Sequence, residues 1–437
     1  MPLKAKRILF FLLPFFLQAC AIQQGKINSL AEGLEHSSSE ATLAALQEIA
    51  PPDRDRAQYL LNIGLLKSIT GDFSGATKDL QAAKELINTL QAASVSEGIG
   101  AATINETLRS YDGGASERVL LHELMSINYL MLNDLDAARV EVLQASVVMA
   151  ELASADKLIG QLASSHYIAG LVYELGGELD NAMISYRKTE KIMTARSIPL
   201  PIALKHSLLS LSQYLGLDAD YEKYNKQFGL SVKTLSPDAA EIIVIYWDGV
   251  VSSKKEKSLS VWVPSLDQVV SLALPSYPQS NYVKKSLSLN FGGQHYLTAT
   301  LEDIETLMRE DLDDESALTY SIALARMIAK VEMVQSAGQQ NGSLGLLMNI
   351  ATLLTESADI RSWNMLPSSI QIARFTLPQG QYPLPLAYYS GSTQMEEKKA
   401  ELTVNAGDKI VLFVPAVSHR IFSYTLSSGR KFNKNKI

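Results

Sequence analysis

The sequence predicts an α+β fold with N-terminal α-helical repeats followed by a β-rich, mixed α/β C-terminal region. From about residue 56 to 230, apolar residues recur at helical spacing and one pattern of small residues occurs three times. From residue 238 to 437, short apolar runs bounded by proline and glycine are typical of strands. The length of 437 residues is compatible with two or three domains.

The first 20 residues have the organisation of a secretory signal peptide. Three cations stand in residues 1–7, and an apolar run over 8–17 is too short to cross a bilayer core of about 30 Å. Residues 17–20 (Leu-Gln-Ala-Cys) resemble the lipobox of bacterial lipoproteins, which implies cleavage after residue 19 and a diacylglycerol on Cys20, the only cysteine of the chain. The alternative is an ordinary signal peptide with an unrelated cysteine.

The position after the cysteine bears on where the protein is anchored. It is Ala21, not Asp, and by resemblance to lipoprotein sorting this implies the periplasmic face of the outer membrane, with the inner membrane as the alternative. Two or three acyl chains hold a protein stably, because each buried methylene contributes about 0.8 kcal/mol. Residues 20–55 are small and polar, and we expect a tether containing a short helix.

The charge balance argues against a nucleic-acid partner. The formal net charge is −7, and cleavage of the signal removes three cations and no acids, whereas nucleic-acid binding needs a basic surface. No later run reaches 18 uninterrupted apolar residues, so we expect no further membrane span.

The repeat pattern in residues 56–230 consists of a small residue, a two-residue turn, and an alanine 12 positions after the small residue. A small residue lets two helices cross closely, and the alanine fills the crossing point. We expect the large residues four positions after each alanine to be buried against the next repeat. The predicted packing positions are Gly64, Ala76 and Ala83, then Ser126, Ala138 and Ala145, then Gly170 and Ala182.

This pattern resembles the tetratricopeptide repeat, whose standard length is about 34 residues. The spacing here is irregular, with an insertion over 92–114 and a weak fourth unit over 208–228. A generic helical bundle is the alternative. Helical repeats expose extended concave surfaces, which implies protein or peptide partners.

The C-terminal region predicts a series of strands, two helices and a seam. Trp363 with Leu366-Pro367 is expected to fill the junction between the helices and the last sheet, and Asp359 and Arg361 either pair there or are solvated. Residues 405–408 are expected to turn the last hairpin. The predicted strands are 241–247, 258–263, 269–274, 285–291, 296–300, 370–377, 382–389, 400–404 and 409–414, and the predicted helices are 315–336 and 344–356.

Several stretches together resemble a family of uncharacterised bacterial tetratricopeptide lipoproteins. Members of that family resemble components of cell-envelope gene clusters, some of them beside activators of peptidoglycan synthases. The resemblance implies a scaffold in peptidoglycan or surface-polysaccharide biogenesis that binds envelope proteins or peptides. The stretches are 110–113, 117–119, 128–141, 174–187, 271–275, 359–363, 366–367 and 377–382, so the resemblance spans most of the mature chain.

Sequence motifs for catalysis are lacking. No phosphate-binding G-x-x-x-x-G-K-[ST] motif or G-x-S-x-G nucleophile motif occurs, and no two of the six histidines are four residues apart. The acidic run 310–315 lacks the glycine of a calcium loop and is interpreted as the start of a helix. We therefore predict no enzyme activity, no cofactor and no metal. The alternative is an envelope hydrolase whose paired carboxylates are distant in sequence.

Overall fold

The computed structural model describes residues 23–97, 110–154, 157–230, 238–264, 267–280, 282–291, 294–340, 357–390 and 393–427. The helices are α1 (23–33), α2 (Ser39–Gln47), α3 (Arg56–Thr70), α4 (Phe73–Glu97), α5 (Ala115–Met131), α6 (Leu135–Leu152), α7 (Ala163–Leu175), α8 (Leu179–Ala195), α9 (Ile202–Tyr214), α10 (Asp218–Phe228) and α11 (Ile304–Gln340). The strands are β1 (Ala239–Asp248), β2 (Lys255–Val263), β3 (Gln268–Ser276), β4 (Lys285–Phe291), β5 (Gln294–Leu297), β6 (Ala299–Asp303), β7 (Ser369–Pro378), β8 (Gly380–Ser390), β9 (Thr393–Val404), β10 (Lys409–Pro415) and β11 (Phe422–Leu426).

Helices α3 to α10 form four consecutive hairpins that stack into one layer. In each hairpin the first or second residue after the first helix is left-handed. The amide of the next residue bonds back to the carbonyl five residues earlier, as from Asp72 to Lys67 at 2.9 Å. This Schellman closure satisfies the last carbonyls of the helix and turns the chain. The left-handed residues are Gly71, Asn133, Gly177 and Gly216. The three predicted repeats and the weak fourth unit are therefore all helical hairpins of the tetratricopeptide-like type.

A five-stranded sheet in the order β11-β10-β1-β7-β6 forms the middle layer. Strand β1 is central and pairs in parallel with β10 and antiparallel with β7. Its side chains alternate between two cores. Ile243, Ile245 and Trp247 belong to the core shared with the helices, whereas Ile242 and Val244 belong to the core on the opposite face. This alternation buries both faces of the sheet.

The opposite face of the middle sheet is covered by a second, four-stranded sheet in the order β5-β4-β8-β9. Leu287 and Leu289 of β4 and Leu402 and Val404 of β9 pack there against the middle sheet. The two-stranded sheet β2-β3 packs separately on the 37-residue helix α11, through a small cluster that includes Val270 and Met327. The order of the layers is therefore helices, sheet, sheet, with α11 and its β-hairpin attached at one side.

Residues 23–55 are folded against the body, unlike the tether that the sequence predicts. Ile27, Ala31 and Leu46 are each at most 2% exposed and belong to the main core. The Glu35 carboxylate accepts the Val250 amide at 3.0 Å. A few apolar residues at helical spacing within a polar stretch are enough to dock α1 and α2, because these residues are buried in the main core.

The acidic run at 310–315 lies inside a helix instead of starting one. Helix α11 begins at Ile304, and Asp303 accepts the Thr306 amide at its N-terminus at 3.2 Å. The predicted helix 315–336 thus lies within α11. In the acidic run, Asp311 bonds Ser116 of α5 and Glu310 bonds Arg196 at the end of α8. The predicted helix 344–356 and the basic tail 430–437 lie outside the described residues.

The turn at 405–408 joins two sheets and does not close a hairpin. Strand β9, before it, pairs with β8, and strand β10, after it, pairs with β1. Asp408 accepts the Asn405 side-chain amide at 3.0 Å, which fixes the turn locally. The turn was recognisable from its residues, but the pairing partners were not, because they are distant in sequence. The predicted strand 296–300 is likewise divided between β5 and β6.

Candidate interaction surface

The residues predicted to pack the repeats all lie inside the helical layer. A Cβ at Gly64 would stand 2.6 Å from Leu80 Cγ, and one at Gly170 would stand 2.6 Å from Tyr186 Cε1, so only glycine fits these crossings. Leu80 and Tyr186 thus fill the crossing in their own hairpin, where the sequence predicts contact with the next repeat. The alanines and serine at the other predicted positions, which are Ala76, Ala83, Ser126, Ala138, Ala145 and Ala182, are at most 2% exposed. Cys20 lies outside the described residues.

The inner face of the helical layer, formed by α3, α5, α7 and α9, is covered by the C-terminal half of the same chain. All 13 residues of α7 are buried, and α5 is buried at nearly every position. Helix α7 contacts β6, α9 contacts β7, and α5 contacts both α11 and β11. The concave surface that the sequence predicts for partner peptides is therefore occupied.

A segment of this chain, residues 357–368, crosses α3 and α5 in the way that a bound peptide would. Gln58 donates to the Ser362 carbonyl at 2.7 Å, and Glu117 accepts the Trp363 amide at 2.8 Å. Asn62 accepts the Met365 amide at 3.2 Å. Side chains of the repeats thus hold the main chain of the segment.

The side chains of this segment complete the seam. Trp363 is 0% exposed, which confirms that it fills the junction between helices and sheet. The Arg361 guanidinium lies 2.5 Å from Asp359 and 2.8 Å from Asp55, so the predicted pair forms and extends to the start of α3. These two carboxylates raise the pKa of Arg361 against the opposing effect of burial.

A buried ion cluster ties the repeats to the middle sheet. Arg374 of β7 bonds Glu174 of α7 at 2.5 Å and Glu241 of β1 at 2.7 Å, and Lys409 of β10 bonds Glu174 at 2.5 Å. Tyr186 donates its hydroxyl to Glu174 at 2.8 Å. Although burial opposes ionisation, the two cations hold the pKa of Glu174 well below its usual value. One carboxylate of the helical layer is thus matched to cations on two strands.

Two helices of the layer take their N-terminal acceptors from the C-terminal half. Helix α5 follows Gly114 and α7 follows Leu162, neither of which has a capping side chain. Asp311 of α11 accepts the Ser116 amide at 2.7 Å, and Glu302 of β6 accepts the Ser164 amide at 3.2 Å. Acceptors at these positions satisfy amides that a helix leaves open at its start. The acidic residues near 302–311 therefore cap repeats from outside.

The outer face of the layer carries an apolar stripe on α6. Val140, Leu143 and Val147 are 48%, 41% and 57% exposed, and the exposed Ala150 extends the row, whereas the charged Asp136 ends it on the other side. The spacing alternates between four and three residues, which is the seam spacing of a helix that packs against another helix. Leu86 of α4 and Ile184 of α8 are also exposed on the second helices of the neighbouring hairpins.

The alternative prediction, a hydrolase, requires two carboxyls that lie close together. The structure does bring two carboxyls together, but it buries them. Glu123 and Glu302 both contact Ser164 and are each 1% exposed. A cleft of about 270 Å³ between β3 and α11 is lined by residues such as Tyr277 and Arg309, and neither buried carboxyl lines it. In the described ranges, no group of three or more histidine, cysteine, aspartate or glutamate side chains is arranged to hold a metal ion.

Among the described residues, no helix is both long enough and apolar enough to cross a bilayer.

Comparisons with known proteins return matches among solved structures. No family model matches the chain, and no curated protein matches it. A crystal structure of MamA is 18% identical, with a TM-score of 0.28 over 43% of this chain and 85% of that one. The apo form of RapI is 10% identical, with a TM-score of 0.33 over 43% of this chain and 47% of that one. Aspartyl phosphate phosphatase F from Bacillus subtilis is 10% identical, with a TM-score of 0.32 over 52% of this chain and 55% of that one. At such TM-scores the likeness carries no inference about function, and the repeat assignment rests on the hairpins and crossings described above.

Proposed function

We propose that this protein is a lipid-anchored scaffold of the bacterial cell envelope, and that it binds a protein partner through the outer face of its helical layer. The observation that carries the proposal is the exposed stripe of Val140, Leu143 and Val147 on α6. The inner face is filled by the chain itself, so the outer face is the part of the repeats that remains open to a partner.

The geometry of the stripe favours a helical partner. Apolar residues that are spaced alternately three and four positions apart can pack against the apolar face of an amphipathic helix. Polar groups beside the row, such as the ion pair between Arg139 and Glu178, give it a polar rim. A buried apolar centre with a polar rim is the usual anatomy of a protein interface.

The envelope location is supported by the N-terminal sequence. Residues 17–20 resemble a lipobox, and residue 23 already lies in α1, which docks through Ile27 and Ala31. A lipid on Cys20 would therefore hold the folded body close to the bilayer, with no long tether between them. A scaffold in peptidoglycan or surface-polysaccharide assembly fits such a position.

Photo-crosslinking in cells tests the surface. A photoreactive residue at position 147 should give one major protein adduct, and Leu143→Lys should reduce its yield at least tenfold because a charge interrupts the row. Ile202→Lys is the matched control, since Ile202 is 61% exposed on α9, away from α6. If Leu143→Lys and Ile202→Lys give equal yields, α6 is not the binding surface.

Metabolic labelling tests the anchor separately. Cys20→Ser should abolish incorporation of a clickable palmitate analogue and release the protein from the membrane fraction. Unchanged labelling would show that Cys20 is not lipidated. Crosslinking from position 147 should then be repeated in this variant, because the outer face should remain intact even where the anchor is lost.

A further inference from the structure

Two buried carboxyl groups meet where α5, α7 and β6 come together. Glu123 of α5 accepts the hydroxyls of Ser164 and Ser165 at 2.7 and 2.5 Å, and Glu302 of β6 accepts the Ser164 amide at 3.2 Å. Both carboxyls are 1% exposed, and Glu123 Oε1 has no hydrogen-bond partner. One end of α7 is therefore held by two acids, one from the helical layer and one from the sheet.

The charges around the pair do not balance two carboxylates. Arg196, after α8, lies 3.9 Å from Glu302, which is longer than a hydrogen bond. The same guanidinium bonds Glu310 of α11 at 2.9 Å and the carbonyls of Gln161 and Leu158. Helix α7 contributes hydroxyl and amide donors. The Arg196 charge is thus shared between Glu302 and Glu310, whereas Glu123 is held by serine hydroxyls.

Burial raises the pKa of both carboxyls in the pair to about 7. The Ser165 and Ser164 hydroxyls oppose this at Glu123, and the Arg196 charge opposes it at Glu302. Because the unfolded value is about 4.5, the folded protein holds protons between pH 4.5 and 7 that the unfolded chain has released. The free energy of unfolding therefore decreases as pH rises through this window, and the penalty is complete above pH 7.

We propose that the seam between the helical layer and β6 is a proton-dependent latch, in which Glu123 and Glu302 take up protons as the two halves dock. The helical layer and β6 are held together more strongly at mildly acidic pH and less strongly at mildly alkaline pH. Its loosening exposes the start of α7, whose amide is capped from the sheet. This device is independent of the outer face proposed above to bind a partner.

The pH dependence of unfolding tests the latch on the full-length protein. Glu123→Gln keeps the shape and removes the ionisation. In wild-type protein the unfolding constant should rise up to about tenfold per pH unit between pH 5.5 and 7 for each proton bound by the pair. In the Glu123→Gln variant, the number of protons that sets this pH dependence should be smaller by up to one. The variant should also be more stable than wild type at pH 8. Glu302→Gln is a second variant should Glu123→Gln fail to fold.

Other acids of this chain titrate too, so the comparison is between variants. Glu151→Gln is the matched control, because the Glu151 side chain is 61% exposed on α6. Hydrogen exchange of the Ser164 and Ser165 amides, corrected for intrinsic rates, should accelerate from pH 6 to pH 8 in wild type and in Glu151→Gln, and should accelerate less in Glu123→Gln, in which only Glu302 still titrates. If all three proteins share one pH slope and one exchange pattern, the pair is not a latch.

Discussion

The two faces of the helical layer are made from the same repeats but have opposite surroundings. Helices α5 and α7 are enclosed by their neighbours, the middle sheet and segment 357–368, whereas α6 and α8 are half exposed. Each repeat supplies one helix to each face, so the repeat pattern alone does not decide which face binds a partner. The C-terminal half decides it, because it covers the inner face and leaves the outer one open.

The largest expected difference between the two faces is in the stability lost when an arginine is replaced. Arg374→Met removes the buried cation of the cluster and leaves the buried Glu174 with only the partly exposed Lys409. We therefore expect a loss of about 3–5 kcal/mol in the free energy of unfolding. Arg187→Met, which breaks the half-exposed pair with Asp220 on the outer side, should cost at most about 1 kcal/mol. Urea unfolding of both variants measures the contrast, and equal losses would mean that the ion cluster does not hold the halves together.

A smaller contrast lies within α6 itself. Ala138 is 0% exposed at a helix crossing, whereas Ala150 is exposed on the same helix. Ala138→Leu should overpack the crossing at a cost of about 1–3 kcal/mol, while Ala150→Leu should stay within about 0.5 kcal/mol. Thermal unfolding of the pair compares one substitution in two environments. A similar melting temperature for both would show that the crossing at Ala138 tolerates a larger side chain.

The smallest expected effect is on the stripe. Val147→Ser removes apolar surface that is already 57% exposed, so the free energy of unfolding should change by no more than about 0.5 kcal/mol. A loss above about 2 kcal/mol in urea unfolding would place Val147 in the core and remove it from the binding surface.

Local features of the fold could be predicted from the sequence. Strands such as β4 and β10 were found almost to the residue, because apolar runs bounded by turns are a short-range signal. The repeats were found because a crossing needs a small residue such as Gly64 or Ala138 at a fixed distance from a turn. The burial of Trp363 followed from its size and its proline-containing neighbourhood.

Features set by distant residues could not be predicted. The partners of Arg374 lie 133 and 200 positions away, and Glu302 reaches Ser164 across 138 positions. A single sequence holds no signal for such pairs. The apolar row on α6 is visible in the sequence, since its members in residues 140–150 are spaced three and four positions apart. A buried helix shows the same kind of row, however, and only the surrounding layer shows that this one is exposed.

The central position of β1 in the middle sheet has a consequence for biogenesis. Strand β1 begins at Ala239, but its parallel neighbour β10 ends at Pro415, so the sheet cannot close until residue 415 has been synthesised. A chain that emerges from its N-terminus first would present α5 and α7 with their sheet-facing sides uncovered. Such transient apolar surface promotes aggregation. Maturation of this protein should therefore depend on a holding chaperone in the compartment where it folds, and most strongly during the interval before residue 415 arrives.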